Sequence, residues 1–201
     1  MALNTEKKGE PGSEKGSWLA DLKDFVKVFV VSAAVILVFV NFFAHPVTVE
    51  GLSMYPNLKD KEYGFTSLIS ARLGHYDRGD VVVLTMPDDE NGQTHWVKRI
   101  IALPGETIEG RDGKIYVDGK VLDESAYIDP EYVAQWQQEN PDYYFSRDFG
   151  PVTLADDEYF FMGDNRGVSK DARSVGPVKA DQIYGRGVLV LYPFNEMGLH
   201  A

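Results

Sequence analysis

With 201 residues and 44% hydrophobic content, the chain is long enough for one or two domains with a packed core. Its net charge of −11 excludes a general nucleic-acid binder, which needs a basic face. The absence of cysteine excludes disulfides and thiolate chemistry, and is compatible with a location outside the cytoplasm.

Residues 1–17 are rich in Lys, Glu, Gly and Ser and lack the apolar area to fold, so a disordered tail is expected, within an N-terminal stretch of residues 1–24. Residues 1–44 balance five lysines (Lys7, Lys8, Lys15, Lys23, Lys27) against five acids, which leaves the whole excess negative charge in residues 45–201. Apolar residues become dense over 25–44, and the uncharged run from Val28 to Ala44 has 17 residues, the short end for a spanning helix. A cleaved signal peptide would have a shorter apolar run and a small-residue exit, and Pro46 disfavours cleavage at this one. A buried core helix would carry a polar face. An uncleaved transmembrane anchor is therefore expected. The lysines before it, with Lys59 the only Lys or Arg in the fifteen residues after it, put the N-terminus in the cytoplasm and residues 45–201 outside. Phe42, Phe43 and Tyr55 are candidates for the lipid interface.

From His45 the pattern turns to strands. Val47 and Val49 alternate with polar neighbours. Leu68–Leu73 reads as a helical turn or a short strand. Asp80–Met86 and His95–Leu103 read as strands. Asp118-Gly119 between Lys114–Val117 and Lys120–Leu122 signals a two-residue hairpin. Residues 123–149 are acidic, aromatic and weakly patterned, as an insertion would be, with a short helix around Glu131–Gln138. The inserted lobe as a whole is placed at about 105–150. Tyr159–Met162 enters the turn Gly163–Gly167, and Ile183–Tyr192 closes the chain as its last strand. The fold class is mostly β: an antiparallel catalytic domain with a small inserted lobe, preceded by one transmembrane helix.

Ser53 lies just beyond the apolar segment, between Gly51 and Pro56. A serine hydroxyl attacks only when a base takes its proton. None of the four histidines (His45, His75, His95, His200) stands in a setting that suggests that base. Lys98, in Trp96-Val97-Lys98-Arg99-Ile100, is either an edge-strand lysine that guards against aggregation or a buried base whose amine is neutral. Alternation along a strand turns Lys98 and Arg99 to opposite faces, so one of them must point inward. The stretch Gly163–Arg173 is dense in hydrogen-bonding groups, and alone is equally a surface turn.

Taken in order, Ser53-Met54-Tyr55-Pro56 after an apolar segment, Arg78-Gly79-Asp80-Val81-Val82-Val83, Lys98-Arg99-Ile100-Ile101-Ala102-Leu103-Pro104-Gly105 and Gly163-Asp164-Asn165-Arg166 resemble the type I signal peptidases of bacteria, in their compact Gram-positive form. The resemblance runs from about residue 20 to the C-terminus. It implies a membrane-bound serine endopeptidase that removes signal peptides from exported preproteins, cutting after Ala-x-Ala through an acyl-enzyme. It implies Ser53 as nucleophile and Lys98 as general base, with Ser169 orienting the lysine. Asp164, Asn165, Arg166, Asp171 and Arg173 would brace the site. Met54, Leu58 and Val97 would line the pocket for the small residue before the cut, and Val47 and Val49 the pocket two residues further back. The implied partners are preprotein signal peptides, the lipid bilayer and the secretion translocon, with no nucleic acid, no metal and no cofactor.

Four positions depart from the family pattern. Asn57 stands where threonine is usual. Gly51 stands where Gram-negative members have a serine that helps form the oxyanion hole. Gly167-Val168 replace Asp-Asn, and Ala172 replaces a serine. A non-proteolytic assembly factor, the alternative within the family, would lack the catalytic pair that this chain retains. A self-cleaving repressor-type Ser–Lys protease would need a DNA-binding domain, and the sequence offers none.

Overall fold

The computed structural model describes residues 17–88 and 92–201. The expected disordered tail lies outside them, apart from Ser17. The described chain divides into two units, one up to Phe39 and one from Val40 onward.

The described part of the first unit lies within one helix, which continues to Phe42. Helix α1, Ser17–Phe42, has 26 residues, begins ahead of the expected boundary at residue 25, and contains no glycine or proline. Its apolar side chains are exposed all round, from Trp18, Phe25 and Phe29 to Val35, Ile36 and Leu37, so it lacks the polar face of a helix lying on a protein core. Lys23, Asp24 and Lys27 interrupt its first half. Among the described residues, no helix is long and apolar enough to cross a membrane.

The second unit is built on antiparallel sheets. Strands β1 (Ala44–Thr48), β2 (Tyr63–Ser67), β3 (Val81–Asp88), β4 (Gly92–Ala102), β9 (Glu158–Met162), β10 (Val178–Lys179), β11 (Ile183–Tyr192) and β12 (Gly198–His200) form an eight-stranded sheet. Its order is β1-β2-β11-β3-β4-β9-β10, with β12 also paired to β11. Strands β5 (Thr107–Arg111), β6 (Lys114–Val117), β7 (Lys120–Val121) and β8 (Phe149–Thr153) form a second sheet in the order β7-β6-β5-β8. Every pairing is antiparallel.

Local chemistry accounts for the short elements. Asp118 and Gly119 both take positive φ, 50° and 73°, as the tight turn between β6 and β7 demands. Leu68–Arg72 is helix α2, with Ser67 Oγ accepting from the Ser70 N–H, a cap that settles the ambiguous stretch in favour of helix. Helix α3, Pro130–Glu139, begins with Asp129 as cap and Pro130 in its first turn. Helix α4, Ala172–Val175, is capped by Asp171. Strand β11 is not the last: the chain turns back, and β12 pairs Val188–Val190 with Gly198–His200. Three residues are too few to show a period of two.

The large sheet is covered on both faces. Val82, Leu84, Ile100, Phe160, Phe161 and Met162 belong to one apolar cluster, which reaches Ile108 and Ile115 of the second sheet. Val81, Val83, Val97, Val188 and Val190 belong to another, with Val49, Met54 and Leu58. This is why Val81-Val82-Val83-Leu84 reads as an unbroken apolar run: all four are 0–1% exposed. Each such side chain taken from water contributes about 1.5–3 kcal/mol. Lys98 pairs with Val82 and Arg99 with Val81, so the two do face opposite ways. Both are nonetheless buried, at 4% and 6% exposure, where alternation alone required only one.

Candidate active site

Ser53 sits in the loop between β1 and β2. The loop closes on itself through Val49 N–H to Glu62 O and Lys61 N–H to Val49 O, both 2.8 Å, and it is pinned by Met54 and Leu58, at 1% and 0% exposure. Gly51 takes φ 83°, a conformation that favours glycine, and donates its N–H to Asp60 Oδ1 at 2.8 Å. The loop after β9 grips the Ser53 backbone from the other side. Asn165 N–H donates to Ser53 O at 3.0 Å, and Asn165 Nδ2 to Leu52 O at 3.1 Å.

Lys98 reaches Ser53 from β4. Its Nζ donates to Ser53 Oγ at 2.7 Å and to Val97 O at 3.0 Å. Burial pushes its pKa down from 10.5 to about 8, against the opposing pull of Asp171 and Asp164. A neutral amine at this position would accept the serine proton along the same short line.

The two carboxylates that would otherwise hold Lys98 protonated are occupied. Arg99 Nε and Nη2 make a bidentate pair with Asp164 at 2.8 and 2.7 Å, and Arg99 Nη1 donates to Gly79 O. Arg173 pairs with Asp171 through Nε and Nη2, both at 2.8 Å. Burial alone would raise the Asp171 pKa, but the Arg173 pair, the Gly163 N–H and Ser169 together hold it below its usual value. Arg166 donates to Gly163 O and pairs with Glu124. Ser169 Oγ is buried without a well-formed hydrogen bond. It stands beside Asp171 and does not bond Lys98, so the contact implied for it is not formed in this structure.

A cleft of about 260 Å³ opens over Ser53 and Lys98, lined also by Val49, Glu50, Met54, His95, Trp96, Val97 and Lys170. Of the five expected pocket residues, Val49, Met54 and Val97 reach it. Leu58 belongs to the buried cluster that backs the cleft, and Val47 packs against that cluster. None of the four histidines hydrogen-bonds Ser53 among the described residues: His75 bonds Leu73 O, and His45 and His95 pack on the Tyr184 ring. Tyr55 is half-buried and meets Tyr132 edge-on, which makes it a packing residue of the lobe. The Phe42 side chain lies outside the description, and Phe43 is exposed.

Three supporting residues escaped the sequence reading. Asn57, a departure from the family pattern, donates to Asp164 Oδ2 at 2.8 Å and to Tyr127 O at 2.6 Å. The Tyr127 ring lies 4.5 Å from the Arg99 guanidinium carbon, and the Tyr127 hydroxyl donates to Glu124. Glu124 and Tyr127 lie in the weakly patterned region, where no motif singles them out.

The family profile described as signal peptidase, peptidase S26, matches residues 22–192. Signal peptidase I S of Bacillus subtilis strain 168 is 39% identical over 188 residues, which are 92% of this chain and 97% of that protein. A signal peptidase I of Bacillus amyloliquefaciens is 36% identical over 187 residues, 92% of this chain and 95% of its own. A signal peptidase I of known structure from Enterococcus faecalis V583 shares 32% identity over 55% of this chain and 95% of its own, with a TM-score of 0.44. It is the family profile and the two Bacillus relatives, matched across nearly their whole length, that place this chain among the signal peptidases of the S26 peptidase family, enzymes that remove signal peptides.

Proposed function

We propose that Ser53 is the nucleophile and Lys98 the general base of this peptidase. The observation that carries the reading is the 2.7 Å contact between Lys98 Nζ and Ser53 Oγ, with the lysine buried and its proton affinity lowered. Neutral Lys98 takes the Ser53 proton as Oγ attacks the scissile carbonyl. The protonated amine then gives that proton to the leaving nitrogen, and an acyl-enzyme remains. Water enters, Lys98 takes its proton in turn, and the ester is hydrolysed. The Ser53 N–H has no acceptor among the described residues and is the candidate oxyanion donor. The Gly51 N–H is engaged by Asp60. Asp164, Asn165, Arg166, Asp171 and Arg173 hold the loop against the nucleophile.

The substrate is an extended peptide with small residues before the cut, of the Ala-x-Ala kind. Val49, Met54 and Val97 leave a shallow apolar floor, and a larger side chain would clash with the packed cluster behind it. The membrane anchor is assigned to residues 25–44, most of them in helix α1, whose apolar side chains are exposed although no described helix is by itself long and apolar enough to cross a membrane; residues 1–24 are then in the cytoplasm and the peptidase domain 45–201 outside, including the lobe at about 105–150. The lipid surface and the secretion translocon are its surroundings.

The test is cleavage of an Ala-x-Ala peptide by wild type, Ser53→Ala and Lys98→Ala in detergent or lipid. The expected result is a cut after the second alanine, abolished in Ser53→Ala and reduced about 10²–10⁴-fold in Lys98→Ala. Near-normal turnover by either variant rules out the role assigned to that residue.

A further inference from the structure

Lys170, in the loop after β9, lines the same cleft as Ser53. Its ammonium lies 5.5 Å from the centre of the Trp96 ring, the distance at which the Lys98 amine also stands from that ring. The two nitrogens are therefore at most about 11 Å apart, an upper bound a little over the roughly 8 Å Debye length of physiological salt. Lys170 makes no ion pair among the described residues, and neighbouring Asp171 is taken by Arg173. The charged or titratable groups facing the cleft are Glu50 from the serine loop, His95 and Lys98 from β4, and Lys170. Behind Lys98 stand Asp164 and Asp171.

A base that works as a neutral amine is harmed by a nearby negative charge, which favours its protonated form. An acidic side chain on a bound peptide would bring that charge into the cleft. A cation seated on an indole face is held in place by the ring and is able to pair with such a carboxylate. We propose that Lys170, on Trp96, forms a subsite for an acidic side chain of the peptide substrate and holds that carboxylate away from the Lys98 amine. This rests on the reading of Ser53 and Lys98 as the reacting pair.

The full chain in detergent, as wild type, Lys170→Gln and Lys170→Glu, is assayed on Ala-x-Ala peptides. A single Glu, Gln or Lys is moved through the positions on either side of the junction. The readout is the ratio of kcat/KM for the Glu peptide to that for the Gln peptide, which cancels any loss common to a variant. Wild type is expected to favour Glu about two- to five-fold at one position, the range an exposed ion pair allows, and to disfavour Lys there. Lys170→Gln brings the ratio to one and Lys170→Glu inverts it; the Gln variant reads the effect even if the Glu variant is inactive. In Lys170→Gln, the ascending limb of the pH profile also moves to higher pH further with the Glu peptide than with the Gln peptide. Ratios independent of residue 170 at every position, in an enzyme that cuts the neutral peptides, overturn the subsite and leave the peptidase reading standing. A wild type that cuts no peptide overturns both.

Discussion

Lys98 is held near pKa 8 by burial, against an ordinary 10.5, and two consequences follow at the scale of this one residue. In the proposed mechanism the working base is the neutral amine, so kcat/KM should rise with pH through about 8 and level off above it; a profile flat from pH 6 to 10 would remove Lys98 from the base role. The second consequence concerns stability. Between about pH 8 and 10.5 the unfolded chain binds a proton at this lysine that the folded chain has released, so stability rises with pH across that window. Below it, the folded protein carries a buried cation at a cost of about 3 kcal/mol. Lys98→Met should therefore be the more stable protein at pH 7, by up to about 3 kcal/mol, with the gap closing toward pH 10.5. Urea unfolding at several pH values measures this, and a pH-independent gap would contradict it. Gly163 is the other sensitive residue: a Cβ there would lie 2.3 Å from both Ser53 O and Ser169 Oγ. Gly163→Ala has to displace the serine backbone or the loop, and a displacement near 1 Å lowers kcat about a hundredfold. Single-turnover cleavage by a variant with a normal melting curve measures that loss.

At the scale of elements, the site is a meeting of three segments that are far apart in sequence. The serine loop, β4 and the loop after β9 are joined by Asn165 to Ser53, by Arg99 to Asp164 and by Asn57 to Asp164. A fourth segment, Glu124–Tyr127, closes the assembly through Arg166 and Arg99. Arg166 has 1% side-chain exposure, and removing its carboxylate leaves an uncompensated buried charge. Glu124→Ala should lower unfolding free energy by about 3–5 kcal/mol and lower kcat more than it changes KM. Denaturant titration and steady-state kinetics on the same samples check both. This brace was not legible beforehand. Glu124 and Tyr127 lie between patterned elements, and nothing about an acid or a tyrosine in a loop marks it as the partner of a distant arginine. The hairpin at Asp118-Gly119 was legible, because its turn depends on two adjacent residues and not on any remote partner.

At the scale of the whole molecule, both apolar clusters lie in the unit that begins at Val40. In the N-terminal helix the described apolar side chains, from Trp18 to Phe39, are mostly exposed. On the proposed anchoring, the helix alone attaches the chain to lipid. The full chain should sediment with phospholipid vesicles. A chain starting at Val40 should largely remain in the supernatant while still cutting Ala-x-Ala peptides. Equal sedimentation of the two would move the lipid contact from the helix to the sheet domain.

The order of elements, the serine with its glycine and proline, the lysine amid apolar residues and the polar loop after β9 all follow from the sequence, because each depends on residues close together in the chain. What only the tertiary structure decided is how these pieces restrain one another. Strand alternation required one of Lys98 and Arg99 to be buried; the fold buries both, Lys98 against the serine loop and Arg99 among Asp164, the Gly79 carbonyl and the Tyr127 ring. The family pattern implied that Ser169 orients the lysine; in the structure its hydroxyl stands beside Asp171 and makes no hydrogen bond to Lys98. Asn57, which read as a departure, is a donor to Asp164, since the fold brings residues 107 positions apart to 2.8 Å. Local sequence fixes propensity and chemistry, whereas burial and partner choice are properties of the closed fold.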